Sequence, residues 1–229
     1  MAAARDAVDV LLRDRGLRRT TPELTGESLL RGAAASARLG GSASSLDDLR
    51  GGVADVVALA AARMNAELLA LVPVVQRSPL QAMARLHALA ATGLVDDAEL
   101  GRPRQADGVP ARLQAVSAVI LASSETPALA VAGVVHAELM AADAFATANG
   151  VVARGLERLI LVARGVDPTS MVVPEAGHLL LEPAYRAALT AYAQHGLAGR
   201  RAWLLHVAQA TAHGVEASPL RSGAPRDTP

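Results

Sequence analysis

The 229-residue chain contains no cysteine. That absence removes disulfides, thiolate nucleophiles and thiolate zinc sites together. Aromatic side chains make up only 2%, a single Phe, a single Trp and two Tyr. Sandwiches and barrels lean on aromatic and β-branched residues, so a core dominated by Ala favours closely packed helices. Lysine is missing as well: all 22 basic residues are Arg, and 22 acidic residues balance them. With Ile and Asn at two each, this reads as a bias towards GC-rich codons and says nothing of function. A net charge of zero leaves no electrostatic footprint for nucleic acid or an anionic membrane, so neither is expected as a partner. No run of eighteen apolar residues is free of charges or breakers, and Met1 to Asp6 lacks the apolar core of a signal peptide, which leaves the cytoplasm as default compartment. The length suits one large domain, or a domain with an extension, and a substantial core.

Taken in order, the chain reads as helices punctuated by Gly, Pro and Ser. A short amphipathic helix over 2–14 is followed by a connection from Gly16 to Gly26, and Glu27 to Leu39 forms a helix stopped by Gly40-Gly41. The apolar spacing of Leu49, Val53, Val56, Ala60, Met64 and Leu68 predicts the longest helix of the chain, from Ser44 or Ser45 to Leu71, ended by Pro73. Ser78-Pro79 opens another helix, closed by Gly93. The stretch from Leu100 to Pro110 lacks alternation and reads as an irregular loop. Helices follow from Pro110 to Ser123 and from Thr126 to Ala141. Three more run from Pro174 to Leu181, Pro183 to Gln194 and Leu197 to Glu216. The polar, Pro-rich end from Ser218 to Pro229 has the composition of a disordered tail, and no internal repeat is present.

One segment has the shape of a site. Between two helical patterns lies Asp143-Ala144-Phe145-Ala146-Thr147-Ala148-Asn149-Gly150, which opens into an apolar helix through Val152, Leu156, Leu159 and Ile160. Gly133, His136, Met140 and Asp143 are spaced to put His136 and Asp143 on one face of the helix before it. Asn149-Gly150 is a turn signal that would leave the first N–H groups of the next helix free as an anion cradle. Val152, Leu156, Leu159, Ile160 and Val162 would clothe that helix on nearly every side and place it at the centre of an all-helical fold.

The segment resembles the motif of the Fic/Doc (Fido) family, H-P-F-x-[D/E]-G-N-G-R-x-x-R, found in a helix–loop–helix. Phe145, Asn149, Gly150 and Arg154 match it. Asp143 stands for the histidine, Ala144 for the proline, Thr147 for the acidic residue, Ala148 for the first glycine and Val151 for the first arginine. His136 lies seven residues upstream, where many members carry a histidine. The resemblance implies an all-α, Fic-like bundle around the motif helix with a small hairpin flap, to which Gly101 and Arg104 correspond. It further implies a helical extension over 1–41, a domain over 42–216 and a tail over 217–229.

Family members transfer AMP from ATP to protein hydroxyls. In them the histidine is the base, the acidic residue holds Mg²⁺, and the asparagine, the backbone cradle and the arginines bind phosphates. Carried over, this makes Asp143 the candidate base, Asn149, Gly150 and Arg154 the nucleotide-binding residues, and His136 and Phe145 the scaffold. ATP with Mg²⁺ becomes the implied ligand. Three parts are missing by residue type. An Asp has an ordinary pKa of about 3.9 against roughly 6.5 for His, Thr147 brings no charge to a metal, and Val151 replaces a cation. The expectation is a degenerate Fic-like domain without AMP transfer that retains nucleotide or anion binding. Alternatives are an active transferase with Asp143 as base, or an interaction module that pairs with itself or a protein partner. Arg154 either supplies charge to the anion site or pairs with Glu157 or Glu138. Some members carry an inhibitory helix signed [S/T]-x-x-x-E-[G/N]. Ser36 and Gly41 match it, while Gly40 stands in place of the glutamate that would pair with the second arginine.

Other features carry bland readings. His136-Ala137-Glu138 has the H-x-E spacing of zinc deaminases but no Cys partner. His206 and His213 are seven apart without an acidic third ligand, Ser123-Ser124-Glu125 lacks nucleophile-elbow glycines, and Trp203, Tyr185 and Tyr192 read as core or groove filler. No metal site is expected.

Overall fold

The computed structural model describes residues 1–14, 20–122 and 125–222. Thirteen α-helices and no strand occur among them. α1 (Ala2–Asp14) buries Ala4, Val8 and Leu11 at helical spacing and packs on α12 (Gly196–Glu216). α2 (Pro22–Leu39) begins earlier than the sequence suggests. Thr21 caps it by accepting from the Leu24 N–H, and Pro22 sits in the first turn where its missing N–H costs nothing. Residues 22–26, read as part of a connection, are therefore helical; 15–19 lie outside the described residues.

The long helix expected from Ser44 or Ser45 to Leu71 does not form. It divides into α3 (Leu46–Gly51), α4 (Val56–Ala66), a 3₁₀ turn (Leu69–Leu71) and α5 (Val72–Val75), leaving α12 the longest helix described. The cause is local. Gly52 takes a left-handed φ of 71° that ends α3, and the Asp55 side chain then restarts a helix by capping the Ala58 N–H. Pro73 lies in the first turn of α5 instead of ending anything. The apolar spacing is interrupted with it: Val53 and Val56 are exposed at the break and α3 buries no residue, while Ala60, Met64 and Leu68 beyond it turn into the core.

α6 (Pro79–Ala91), α7 (Val109–Leu121) and α8 (Ala128–Ala142) follow close to expectation. Between α6 and α7 the loop forms no hairpin, and Ser123 and Ser124 lie outside the described residues. α9 (Asn149–Ala163) occupies the centre: every side chain from Val151 to Leu161 is buried, and α2, α4, α5, α6, α8 and α10 (Pro174–Leu180) pack around it. α11 (Glu182–Gln194) and α12 close one side. Glycine sets the distances there, since a Cβ on Gly177 would stand 1.9 Å from the Ala210 carbonyl and one on Gly199 1.9 Å from the Ala191 carbonyl. Part of the segment read as tail is ordered. Pro219–Ser222 forms α13 with Ser218 and Leu220 buried, while residues 223–229 lie outside the described ones.

No single helix among the described residues is long and apolar enough to cross a membrane. The one apolar pair, Val56–Ala66 with Leu69–Val75, is bent by 48° and sends Ala58, Met64, Leu68 and Leu71 into the core.

Candidate functional site

The loop between α8 and α9 is braced from within. Asn149 accepts the Phe145 N–H at 2.9 Å and donates from Nδ2 to the Phe145 carbonyl at 2.8 Å and the Asp143 carboxylate at 2.9 Å. Its amide is fully engaged in the loop. Phe145 is buried and stacks on His87, ring centroids 4.2 Å apart, and His87 Nδ1 accepts the Gly101 N–H. The segment over 100–108 is thereby tied to the loop, and the Arg104 N–H completes the tie by donating to the Ala144 carbonyl at 2.7 Å. Ala148 caps α9 with a φ of 56°, the left-handed conformation for which the family pattern has glycine. A left-handed Ala is strained by roughly 1–2 kcal/mol, so Ala148→Gly is expected to stabilise the fold by about 1 kcal/mol. Chemical unfolding measures it, and a destabilised variant would mean the loop does not need this conformation.

Asp143 does not join His136. It sits just past the end of α8 in a left-handed conformation, exposed, pairing with Arg104 and Asn149. His136 points the other way and is wholly buried. The shared face expected from their spacing is lost because α8 stops at Ala142, one residue short.

A pocket of about 480 Å³ opens over the start of α9. Thr147 to Val151, Arg154, Gly40, Tyr185 and the exposed Arg186 contribute to its wall, with Leu39, Val57, Leu94 and Met140 as apolar neighbours; Asp143 is not part of it. No side chain caps the first N–H groups of α9, which face this end of the helix. Arg154 is 3% exposed and pairs with neither Glu157 nor Glu138. Its Nε donates to Ser36 Oγ and its Nη2 to the Ser36 carbonyl, both at 2.9 Å, while Nη1 donates to the Tyr185 hydroxyl at 3.0 Å. Gly150 makes room for it, since a Cβ there would stand 3.0 Å from Nη1. These contacts tie up three of the five N–H groups of the guanidinium.

The counter-charge of Arg154 lies behind Tyr185. The Tyr185 hydroxyl meets His136 Nε2 at 3.0 Å, His136 Nδ1 is bonded to Glu157 Oε2, and the same oxygen takes His178 Nε2 at 3.0 Å. His178 Nδ1 in turn meets His206 Nε2 at 3.0 Å. Trp203 lies edge-on to His136 and flat on His178, walling the chain from water. Desolvation pushes His136 and His206 down to about 4, so both are neutral at pH 7. Burial alone would raise the Glu157 carboxyl, but the imidazoles of His178 and His136 outweigh it and hold the group below the ordinary carboxylate range. The protons follow: each donor in the sequence Arg154, Tyr185, His136 points towards Glu157, and so do His206 and His178 from the other side. Glu157 Oε1 and His206 Nδ1 are left without partners.

His136 Nδ1, the Glu157 carboxylate and His178 Nε2 lie within 4.8 Å of one another, a donor set seen at zinc sites. They do not fit a metal here. The 3.0 Å approach of His178 to Glu157 is a hydrogen bond, closer than the roughly 3.4 Å between ligands of a tetrahedral zinc. A divalent ion would also add two charges beside Arg154 where a single carboxylate is available. His213 is exposed on α12 and does not meet this cluster. A second buried network lies further along α9, where Arg158 donates to Ser28, Ser170, the Val172 carbonyl and Glu175.

The sequence reading missed Glu157, His178 and His206 as a cluster, and Ser36 and Tyr185 as the partners of Arg154. One signal was available. Glu157 and Arg158, with Arg154 before them, interrupt a helix that is apolar on nearly every other side, and buried charges in such a place must be paired.

No family model matches the sequence, and no curated protein matches it. Solved structures do. A Fic family protein from Desulfovibrio desulfuricans superposes with a TM-score of 0.79 at 17% identity, over 99% of this chain and 76% of that one. Fic-1 from C. elegans and a variant of it each superpose with a TM-score of 0.69, at 17% and 18% identity, over 94% of this chain and 71% of theirs. At these identities the likeness is one of fold: the chain has the all-α Fic fold.

Proposed function

We propose that this chain is a Fic-fold binding domain that holds a small anion of nucleoside monophosphate size in the pocket over α9 and does not transfer AMP. The observation that carries the reading is the separation of parts: Arg154 and the uncapped helix start line the pocket, while Asp143 lies outside it, bound to Arg104 and Asn149. A volume of about 480 Å³ falls within the roughly 300–1,000 Å³ of small-molecule sites. A helix start and an arginine fork both favour phosphate oxygens. Against a transferase stand Thr147 and Val151, which bring neither a metal ligand nor a second motif cation to the pocket.

Calorimetry with AMP tests it. Binding in the micromolar to low millimolar range is expected, and no heat at millimolar AMP would retire the site. Gly40→Glu supplies a control within the same pocket. Gly40 has a φ of −86°, which side chains adopt, with the Ala37 carbonyl 3.2 Å from where a Cβ would stand, and it lines the pocket with Arg154, so a glutamate there would pair with Arg154 and exclude the anion. AMP affinity should fall by about tenfold or more, corresponding to roughly 1.4 kcal/mol or above. Unchanged affinity would place the ligand elsewhere.

A further inference from the structure

We propose that the pocket takes up a proton together with its anion, His136 receiving the proton and Tyr185 turning its hydroxyl hydrogen from His136 to the ligand. The inference rests on the anion-binding reading above and deepens it. Tyr185 is the hinge of the argument because it touches three things: it lines the pocket, accepts from Arg154 and meets His136 Nε2. Its oxygen carries a single hydrogen. With His136 neutral and its Nδ1 proton committed to Glu157, Nε2 is a lone pair and Tyr185 must donate to it. Tyr185 then has nothing to offer a ligand. Once His136 gains a proton, Nε2 becomes a donor to the Tyr185 oxygen, and the hydroxyl hydrogen is free to point into the pocket.

The charges favour the same coupling. Around His136 stand Glu157 and Arg154 on α9, His178 on α10, Tyr185 on α11 and His206 on α12. Burial is the main opposition to a proton on His136 and the positive charge of Arg154 adds to it, while Arg186 acts on Tyr185. An anion against Arg154 offsets the part due to that charge, while Glu157 waits on the far side of the ring to pair with the imidazolium. The proton enters by the pocket: water or ligand gives one to Tyr185 as Tyr185 passes its own to His136.

Sulfate is the probe, because it stays fully ionised through the range in which a phosphate ester itself titrates. Sulfate binding is measured between pH 7.5 and 5.5, with ¹⁵N resonances of the histidine rings recorded alongside. The expected result is tighter binding as pH falls, with His136 passing from the Nδ1–H form to the doubly protonated form as sulfate is added. Tyr185→Phe, which keeps the ring but has no hydroxyl hydrogen to turn, should flatten that pH dependence. Sulfate that binds the parent chain equally at all these pH values, with His136 still neutral, overturns the coupling and leaves the pocket reading in place. If neither sulfate nor AMP binds, the pocket reading falls and the coupling falls with it. Should Tyr185→Phe fail to fold, the pH dependence of the parent chain decides alone.

Discussion

Arg158→Met should unfold this protein or bring it close to unfolding. Arg158 is 1% exposed, and its guanidinium closes a set of buried acceptors on α2, the 165–173 loop and α10: Ser28, Ser170, Val172 and the Glu175 carboxylate, itself 1% exposed. Met fills a similar volume, so the loss is electrical and not one of packing. Glu175 would remain as a buried carboxylate without its cation, and removing one partner of such a pair costs about 3–5 kcal/mol. Several orphaned acceptors add to this. Domains of this size are stable by only about 5–15 kcal/mol in all. The urea midpoint measures the effect, and a midpoint within experimental error of the parent would show that Arg158 and Glu175 are not buried as described. Replacing both partners by apolar residues should recover much of the loss, because no charge is then stranded.

Mild acid should weaken the fold well before carboxylates titrate. Burial pushes His87, His136 and His206 down from 6.5 to about 4 in the folded chain. Each therefore binds its proton more readily once unfolded, so stability is complete above about pH 6.5 and is lost as pH falls from there towards 4. A shift of this size is worth at most about 3 kcal/mol per histidine, and three of them together rival the whole stability of a domain. Asp167, raised by burial, acts in the opposite sense and offsets a part. Asp55, held down at about 2 by Ser42 and the Ala58 N–H, adds a further loss only below pH 4. Urea midpoints at pH 7, 6 and 5 should fall steadily; midpoints level across that range would mean that these rings are solvated or already charged.

Much of the fold could be read from residue spacing. The apolar circumference of α9 announced a central helix, and the prolines at 79, 110 and 174 marked the starts of α6, α7 and α10. The same spacing misled between Ser44 and Leu71, where one repeat pattern runs across Gly52 and Asp55, two residues that individually stop and restart a helix. In the site, Phe145, Asn149, Gly150 and Arg154 come together around one loop, although Asn149 spends its amide on the loop itself. The polar chain behind them was not legible. Ser36, His136, Glu157, His178, Tyr185 and His206 arrive from six different helices, and periodicity assigns each a face without saying which faces meet. Arg154 shows the limit most clearly. Glu157 and Glu138 were the carboxylates weighed as its partners, whereas its partner on α2 lies 118 residues away.

Arg154 also joins stability to binding. Because it anchors α2 to α9 through Ser36, Arg154→Ala is expected to loosen the fold as well as the pocket, so loss of binding in that variant alone would be ambiguous. Gly40→Glu, which leaves Arg154 in place, separates the two.

The central claim, a Fic fold that keeps a pocket but has lost the transfer chemistry, is tested most directly by incubating the protein with α-labelled ATP and Mg²⁺ and following label into protein. The account expects no label from the parent chain, and transfer only after Asp143→His, Thr147→Asp, Ala148→Gly and Val151→Arg are made together, since base, metal ligand, close backbone and cation act as a unit. Label carried by the unaltered chain and lost on Asp143→Ala would contradict it.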